Sequence, residues 1–277
     1  MDLHVGCAMW SHARWGLPQG ERLGAYASRC NAVEGNTTFY ATPSRATVET
    51  WAAQTPADFR FVIKLPRTIT HEGRLGDVGD QVRAFLHAIE PLGPRAHALW
   101  VQLPGSFSPS DLRVLATFLR RMPAAYHYAV EVRHHAFFDH APSIGNLERM
   151  LGELDAEWVP FDTVTLFETP PTSDAERDAW TKKPRVPRRS HALTERPIVR
   201  YLGRDDPART VEGWRFWVET TAAWLREGRS PTVFVHTPDN AEALTLARRF
   251  HDEVRAQLPR LAPLPEPVAE EPPLTLF

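Results

Sequence analysis

The chain is poor in cysteine, with Cys7 and Cys30 the only two among 277 residues. Two thiols in apolar surroundings exclude a disulfide framework and a cysteine-built zinc site, and they point to a reducing, cytoplasmic setting. Long apolar runs are missing as well. No window reaches the ~18 apolar residues of a membrane span, and the start MDLHVGCAMW lacks the basic and apolar regions of a signal peptide. The expectation is a protein neither inserted in a membrane nor secreted, so the sequon Asn36-Thr37-Thr38 carries no weight. Charge of one sign is lacking too. With a formal net charge of −2, no global field draws the chain to nucleic acid or anionic lipid, and any such binding depends on a local patch. Absent motifs narrow the chemistry further. There is no GxGxxG or GxxxxGK[ST] after the first strand candidate, no HExxH, and no GxSxG elbow, since Ser106 lies in a PGSF turn. The cofactor is therefore left open, with a divalent metal as one alternative.

What is present is ordinary globular composition, 43% hydrophobic and 24% charged, and a regular alternation. LHVGCAM, AVEGN, FRFVIKL, HALWVQL, YHYAVEV, EWVPFD, PIVRYLG and TVFVH are eight strand candidates, and segments with apolar residues recurring at three and four lie between them. Parallel strands need crossover helices, and eight such units in a chain of this length predict a single (β/α)8 TIM barrel over residues 1–258. An open doubly wound sheet is the alternative, and the missing phosphate loops weigh against it. Residues 163–196 are too long for a plain connector and read as a lid or wall after the sixth strand. Residues 259–277 read as an extended Pro-rich tail outside the barrel.

In a barrel, chemistry sits where the strands end, so the polar residues at those ends are the candidates. VEGNTTFY delivers Glu34, Asn36, Thr37 and Thr38 at the end of the second strand; Lys64 and then His71 follow the third, and Gln102 ends the fourth. Glu131 and Arg133 end the fifth, and Asp162, Arg200 and His236 end the sixth, seventh and eighth. Side chains alternate along a strand, so Glu34 shares a face with Asn36, and Glu131 with Arg133. One such residue is commonly a core salt bridge. Seven strands in register point instead to a ligand site, because each buried ion costs several kcal/mol unless it is paired. Glu34 and Glu131 suit a general acid and base, with Lys64 and His71 beside them, while Asn36, Gln102, Arg133, Asp162, Arg200 and His236 suit substrate binding. Lys64, Arg133 and Arg200 would offset the acids and could hold a phosphate or carboxylate, which implies an anionic substrate. A Schiff-base role for Lys64 is disfavoured, since two nearby carboxylates should raise its pKa. Glu34, His71, Glu131, Asp162 and His236 are also the ligand types a metal would take. Trp10, Trp15, Phe39 and Tyr40 are candidate stacking surfaces.

The motifs VEGNTTFY, FRFVIKLPRTITH, WVQLPGSF, YAVEVRHHAFF, KKPRVP, VRYLGRDD and VFVHTPDN resemble those of the YecE-like family, also called the domain of unknown function 72 family. The resemblance spans nearly the whole chain and implies a TIM barrel, with Glu34, Asn36, Lys64, His71, Gln102, Glu131 and Arg133 matching the wider pattern. It supplies no reaction. Other branches carry RLHG and paired asparagines where this chain has RYLG, with Leu202, and His236-Thr237, so the chain looks like the YecE branch and no mechanism resting on an imidazole at position 202 applies.

Two classes of function remain. One is a barrel enzyme doing acid–base chemistry on an anionic small molecule. The other is a non-catalytic nucleic-acid binder that uses Lys182, Lys183, Arg185, Arg188 and Arg189 of KKPRVPRRSH for phosphates. The last residues, PLTLF, resemble peptides that dock proteins onto the bacterial sliding clamp, with Leu274, Leu276 and Phe277 as apolar anchors; a tail folded back on its own barrel is the plainer reading.

Overall fold

A computed structural model describes residues 2–266. Nine strands form one sheet: β1 His4–Cys7, β2 Ala32–Gly35, β3 Arg60–Lys64, β4 Ala96–Gln102, β5 Tyr128–Glu131, β6 Ala156–Trp158, β7 Phe161–Asp162, β8 Ile198–Leu202 and β9 Thr232–His236. Their order is β6-β5-β4-β3-β2-β1-β9-β8-β7, and every pair is parallel. The fold is thus an α/β fold built on a curled parallel sheet.

Eight strand candidates became nine strands because of one residue. Pro160 has no N–H to give a ladder and fixes its own φ, so it breaks EWVPFD in two. The first half, β6, belongs to β5, with Val159 N donating to Val130 O at 2.9 Å; the second, β7, belongs to β8, with Arg200 N donating to Pro160 O at 3.0 Å. The two end strands of the sheet are therefore consecutive in the chain, with only Val159 and Pro160 between them.

Alternation then sorts the strand residues. Ala32, Val62, Ala98, Trp100, Ala129, Val159, Ile198 and Phe234 pack together as one apolar cluster inside the curl. Two residues further along six of these strands stand Glu34, Lys64, Gln102, Glu131, Arg200 and His236, all buried. Period two places them on the same inward face, one layer nearer the carboxyl ends. The opposite faces bury a larger cluster against the helices. Helix Leu112–Arg121 shows how, burying Leu115, Ala116, Phe118 and Leu119 along one stripe. Gly6 is required where β1 meets β2, since a Cβ there would lie 1.9 Å from Ala32 O.

Segment 163–196 is not irregular throughout. It holds helices Val164–Phe167 and Asp174–Lys182, the second capped by Ser173 Oγ, which accepts from Glu176 N at 3.0 Å. The Pro-rich stretch was expected to leave the protein at once, but Leu261 and Leu264 are buried and Arg248 Nη1 donates to Pro265 O at 2.8 Å. Two leucines spaced along an otherwise proline-rich stretch suffice to dock its first part. Leu274, Leu276 and Phe277 lie outside the described residues. Cys7 and Cys30 are free and buried. Among the described residues no helix is long and apolar enough to cross a membrane.

Candidate functional site

The carboxyl ends of the strands surround a cavity of about 770 Å³ whose lining includes Glu34, Asn36, Lys64, His71, Gln102, Arg133, Arg200 and His236. Eight of the ten residues expected from the sequence therefore meet in one place. At the centre is Glu34, fully buried. Its Oε1 lies 2.7 Å from Lys64 Nζ, and its Oε2 lies 3.1 Å from Arg200 Nε and 3.0 Å from His236 Nε2. Burial alone would raise its pKa; Arg200, Lys64 and His236 overcome that and hold the carboxyl well below the usual range.

Arg200 Nε donates to His236 Nε2 at 3.2 Å, and the same ring nitrogen lies 3.0 Å from Glu34 Oε2. Burial and Arg200 lower the His236 pKa to about 4, so the imidazole is neutral at pH 7.

Glu131 sits beside this group without lining the cavity. Its Oε1 accepts from Arg133 Nε and Nη2, both at 2.7 Å. Its Oε2 is buried with no hydrogen-bond partner among the described residues, and the nearest cation is Arg200 Nη1 at 4.0 Å. The fold thus leaves one carboxylate oxygen unused, and its partner Arg133 faces the cavity.

Asp162 is not part of the site. Its Oδ1 accepts from Val164 N at 2.9 Å, and its Oδ2 accepts from Arg188 Nε at 2.7 Å and Trp217 Nε1 at 2.6 Å. Those donors belong to the segment that follows β7 and to a helix outside the sheet, so the substrate-binding role expected of Asp162 is replaced by a structural one. Among the described residues no group of three or more His, Cys, Asp or Glu is placed to hold a metal, and Asp162 drops out of the ligand set considered above. Thr38 is also structural, its hydroxyl bridging Gly35 O and Lys64 O at 2.8 and 2.7 Å. Asn36 lines the cavity while its Nδ2 ties β2 to Ala8 O at 2.7 Å.

His71 stands on a π-helical turn, Thr68–Glu72, closed by Gly73 N to Thr68 O at 2.9 Å; such turns recur at functional sites. Burial, then Arg133 and Arg67, lower its pKa. Phe39 meets the His71 ring edge-on at 5.0 Å, and Tyr40 at the rim is 73% exposed. Trp10 lines the cavity as well. Trp15 is no stacking surface, being buried with its indole N–H on the carbonyls of Asn240 and Ala241.

One cavity residue stands in the sequence only as part of a charged run. Lys183 lines the cavity, while the other cations of KKPRVPRRSH turn to partners within the chain. Lys182 pairs with Asp178 at 2.6 Å, Arg188 with Asp162 and Arg189 with Glu148 at 2.7 Å, and Arg185 lies over the Phe167 ring. No sequence signal set Lys183 apart, because the helix Asp174–Lys182 that positions it is not among the elements expected from the sequence. Arg67 at the rim is paired with Glu72 at 3.1 Å; apart from that pair, four cations, Lys64, Arg133, Lys183 and Arg200, face two carboxylates, Glu34 in the lining and Glu131 behind it. That imbalance is visible in the lysines. Burial and Arg200 take Lys64 down to about 8 despite both glutamates, and burial, Arg200 and Arg133 take Lys183 to about 8. The carboxylates do not raise Lys64 as expected, because desolvation and a neighbouring guanidinium outweigh them.

A larger cavity, about 930 Å³, lies at the opposite end of the sheet beside His4, Arg60, His97 and His127. Burial holds His4 and His97 to about 3 and about 2, so both are uncharged at neutral pH.

A curled parallel sheet with a charged cavity at the carboxyl ends of its strands defines a barrel-like α/β protein. Within that class the chain belongs to the DUF72 family, described as proteins of unknown function, whose sequence profile matches residues 4–270. It is 37% identical over 263 residues to the UPF0759 protein YecE of Escherichia coli, in both the O157:H7 and K12 strains, covering 95% of this chain and 96% of that protein. The fold is similar to crystal structures of DUF72 family proteins from Thermotoga maritima MSB8 (TM-score 0.68, 21% identity, 92% of this chain and 100% of that one) and Enterococcus faecalis V583 (TM-score 0.66, 19% identity, 91% and 98%).

Proposed function

We propose that the protein is a cytoplasmic enzyme that binds a small anionic substrate bearing phosphate or carboxylate at the carboxyl ends of a (β/α)8 barrel, closed through the single segment 156–162. The observation that carries this reading is the excess of cations over carboxylates at a cavity whose inner wall, Glu34, Lys64, Arg200 and His236, is buried. Buried charges normally balance, because an unpaired one costs several kcal/mol. An anion of charge two would complete the count, restore the two lysines toward their ordinary range, and take a bidentate grip from Arg133. Two free buried thiols suit a reducing compartment.

Catalysis in this reading falls to Glu131. Its Oε1 is held by Arg133, so an anion that draws Arg133 away frees a carboxylate for proton transfer. Glu34, with Lys64, Arg200 and His236 within 3.1 Å and its pKa held well below the usual range, keeps its charge and serves as the fixed counter-charge of that group. The nucleic-acid alternative loses support, since three of the five cations in KKPRVPRRSH pair with the chain's own carboxylates.

The test is thermal unfolding in the presence of small phosphomonoesters. A sugar phosphate should raise the Tm of the wild type and of Glu131→Gln, and raise that of Arg133→Met much less. Stabilisation by a single-stranded oligonucleotide and not by any phosphomonoester would overturn the reading in favour of a nucleic-acid binder.

A further inference from the structure

Thirty-two residues of the chain are lysine or arginine, and only Lys64, Lys182 and Lys183 are lysine. Two of those three line the same cavity. Arginine would supply the same charge there with a better fork for phosphate or carboxylate, and it stays protonated at any pH a protein meets. Lysine offers something else, an amine that can lose its proton and attack a carbonyl carbon.

The three lysines have different settings. Lys64 Nζ is committed to Glu34 Oε1 at 2.7 Å and lies 4.9 Å from the centre of the Trp100 ring. Lys182 is exposed and paired with Asp178. Lys183 has no carboxylate within ion-pairing distance among the described residues; its Nζ lies 6.0 Å from the centre of the Phe161 ring, at the cavity wall. Of the two cavity amines, then, only this one is not held by a counter-ion.

We propose that Lys183 is a nucleophile that forms an imine with an anionic aldehyde or ketone whose phosphate or carboxylate is held by Arg133 and Arg200. The proposal rests on the anion-pocket reading above and names the substrate class of that site. The neutral Nζ attacks the carbonyl carbon, and the C=O π pair moves onto oxygen. Both amine hydrogens end on that oxygen, which leaves as water while the C=N bond forms, so no oxidant or other co-reactant is needed. Burial and the flanking guanidiniums leave the amine with a pKa of about 8, so about a tenth is neutral at pH 7, against less than a thousandth for an ordinary lysine.

The experiment is reductive trapping. The full chain is incubated with glyceraldehyde 3-phosphate and cyanoborohydride, and the adduct is mapped by peptide mass spectrometry, with Lys182 as the internal control for surface labelling. Expected is one adduct, on Lys183, suppressed by excess inorganic sulfate, at least tenfold slower with unphosphorylated glyceraldehyde, and absent in Lys183→Arg. No adduct, an adduct on Lys64 in place of Lys183, or equal labelling of Lys182 and Lys183 would overturn the proposal while leaving the anion pocket standing. An adduct on Lys183 that sulfate does not suppress would instead overturn the anion pocket on which it rests.

Discussion

Glu176 and Glu34 are both fully buried carboxylates met by arginine, yet their surroundings differ in balance. Glu176 has one cation, Arg204, and every acceptor and donor of the pair is taken. Oε1 accepts from Arg204 Nε and Asp205 N, both at 3.1 Å, and Oε2 accepts from Thr172 N at 2.7 Å and from Arg204 Nη2. Arg204 spends its remaining donors on Thr169 O and Pro170 O. That cluster borders no cavity described above, and it fixes helix Asp174–Lys182 to the end of β8. Around Glu34 and Glu131 the charges do not balance, one carboxylate oxygen lacks a partner, and a lysine has no counter-ion. The comparison separates two uses of buried charge, a closed pair that holds structure and an open set with room for a ligand's charge.

Breaking the closed pair should have the largest effect. Arg204→Met leaves Glu176 buried without its cation and should cost about 3–5 kcal/mol of stability, read as a lower denaturant midpoint at unchanged slope. A loss below about 1 kcal/mol, the range of an exposed pair, would show that the cluster does not hold the segment carrying Lys183.

Neutralising one member of the open set should act in the opposite sense. Lys183→Met removes a desolvated cation with no counter-ion, so it should leave stability equal or higher while weakening sulfate binding by on the order of tenfold, about 1.4 kcal/mol. The pH dependence fixes the sign. The folded value of Lys183, about 8, lies below the unfolded 10.5. Below pH 8 both states are protonated and the native state bears the full penalty. Between 8 and 10.5 the unfolded chain binds more protons, so this residue's contribution to stability rises with pH. The advantage of Lys183→Met over wild type should therefore shrink across that window. A constant difference from pH 7 to 10.5 would contradict the depressed value.

The same contrast marks where sequence reasoning worked. Glu34, Lys64, Gln102, Glu131, Arg200 and His236 were legible because alternation is a local rule: each stands two residues after an inward apolar residue on its strand. Asp162 does not share that face: alternation from Val159 of the inner cluster puts Phe161 inward and Asp162 outward, where Arg188 and Trp217, 26 and 55 residues away, claim its carboxylate. The break of the sixth strand was visible as Pro160, but not the division of its halves between two neighbours. The Glu176–Arg204 pair spans 28 residues and has no periodic signature. For Lys64 the sequence showed which charges were near and not how much water was lost, and desolvation decided the sign.

The most direct test of the open set is calorimetric titration with inorganic sulfate at pH 8, in two buffers of different ionisation enthalpy. Sulfate keeps its charge at that pH, so any proton exchanged belongs to the protein or the buffer. An anion that completes the cavity must raise Lys64 and Lys183 from about 8, and binding should therefore proceed with net proton uptake, reduced in Lys183→Met. Absence of binding, or binding with identical heats in both buffers, would contradict the claim that this cavity holds uncompensated positive charge for an anionic ligand.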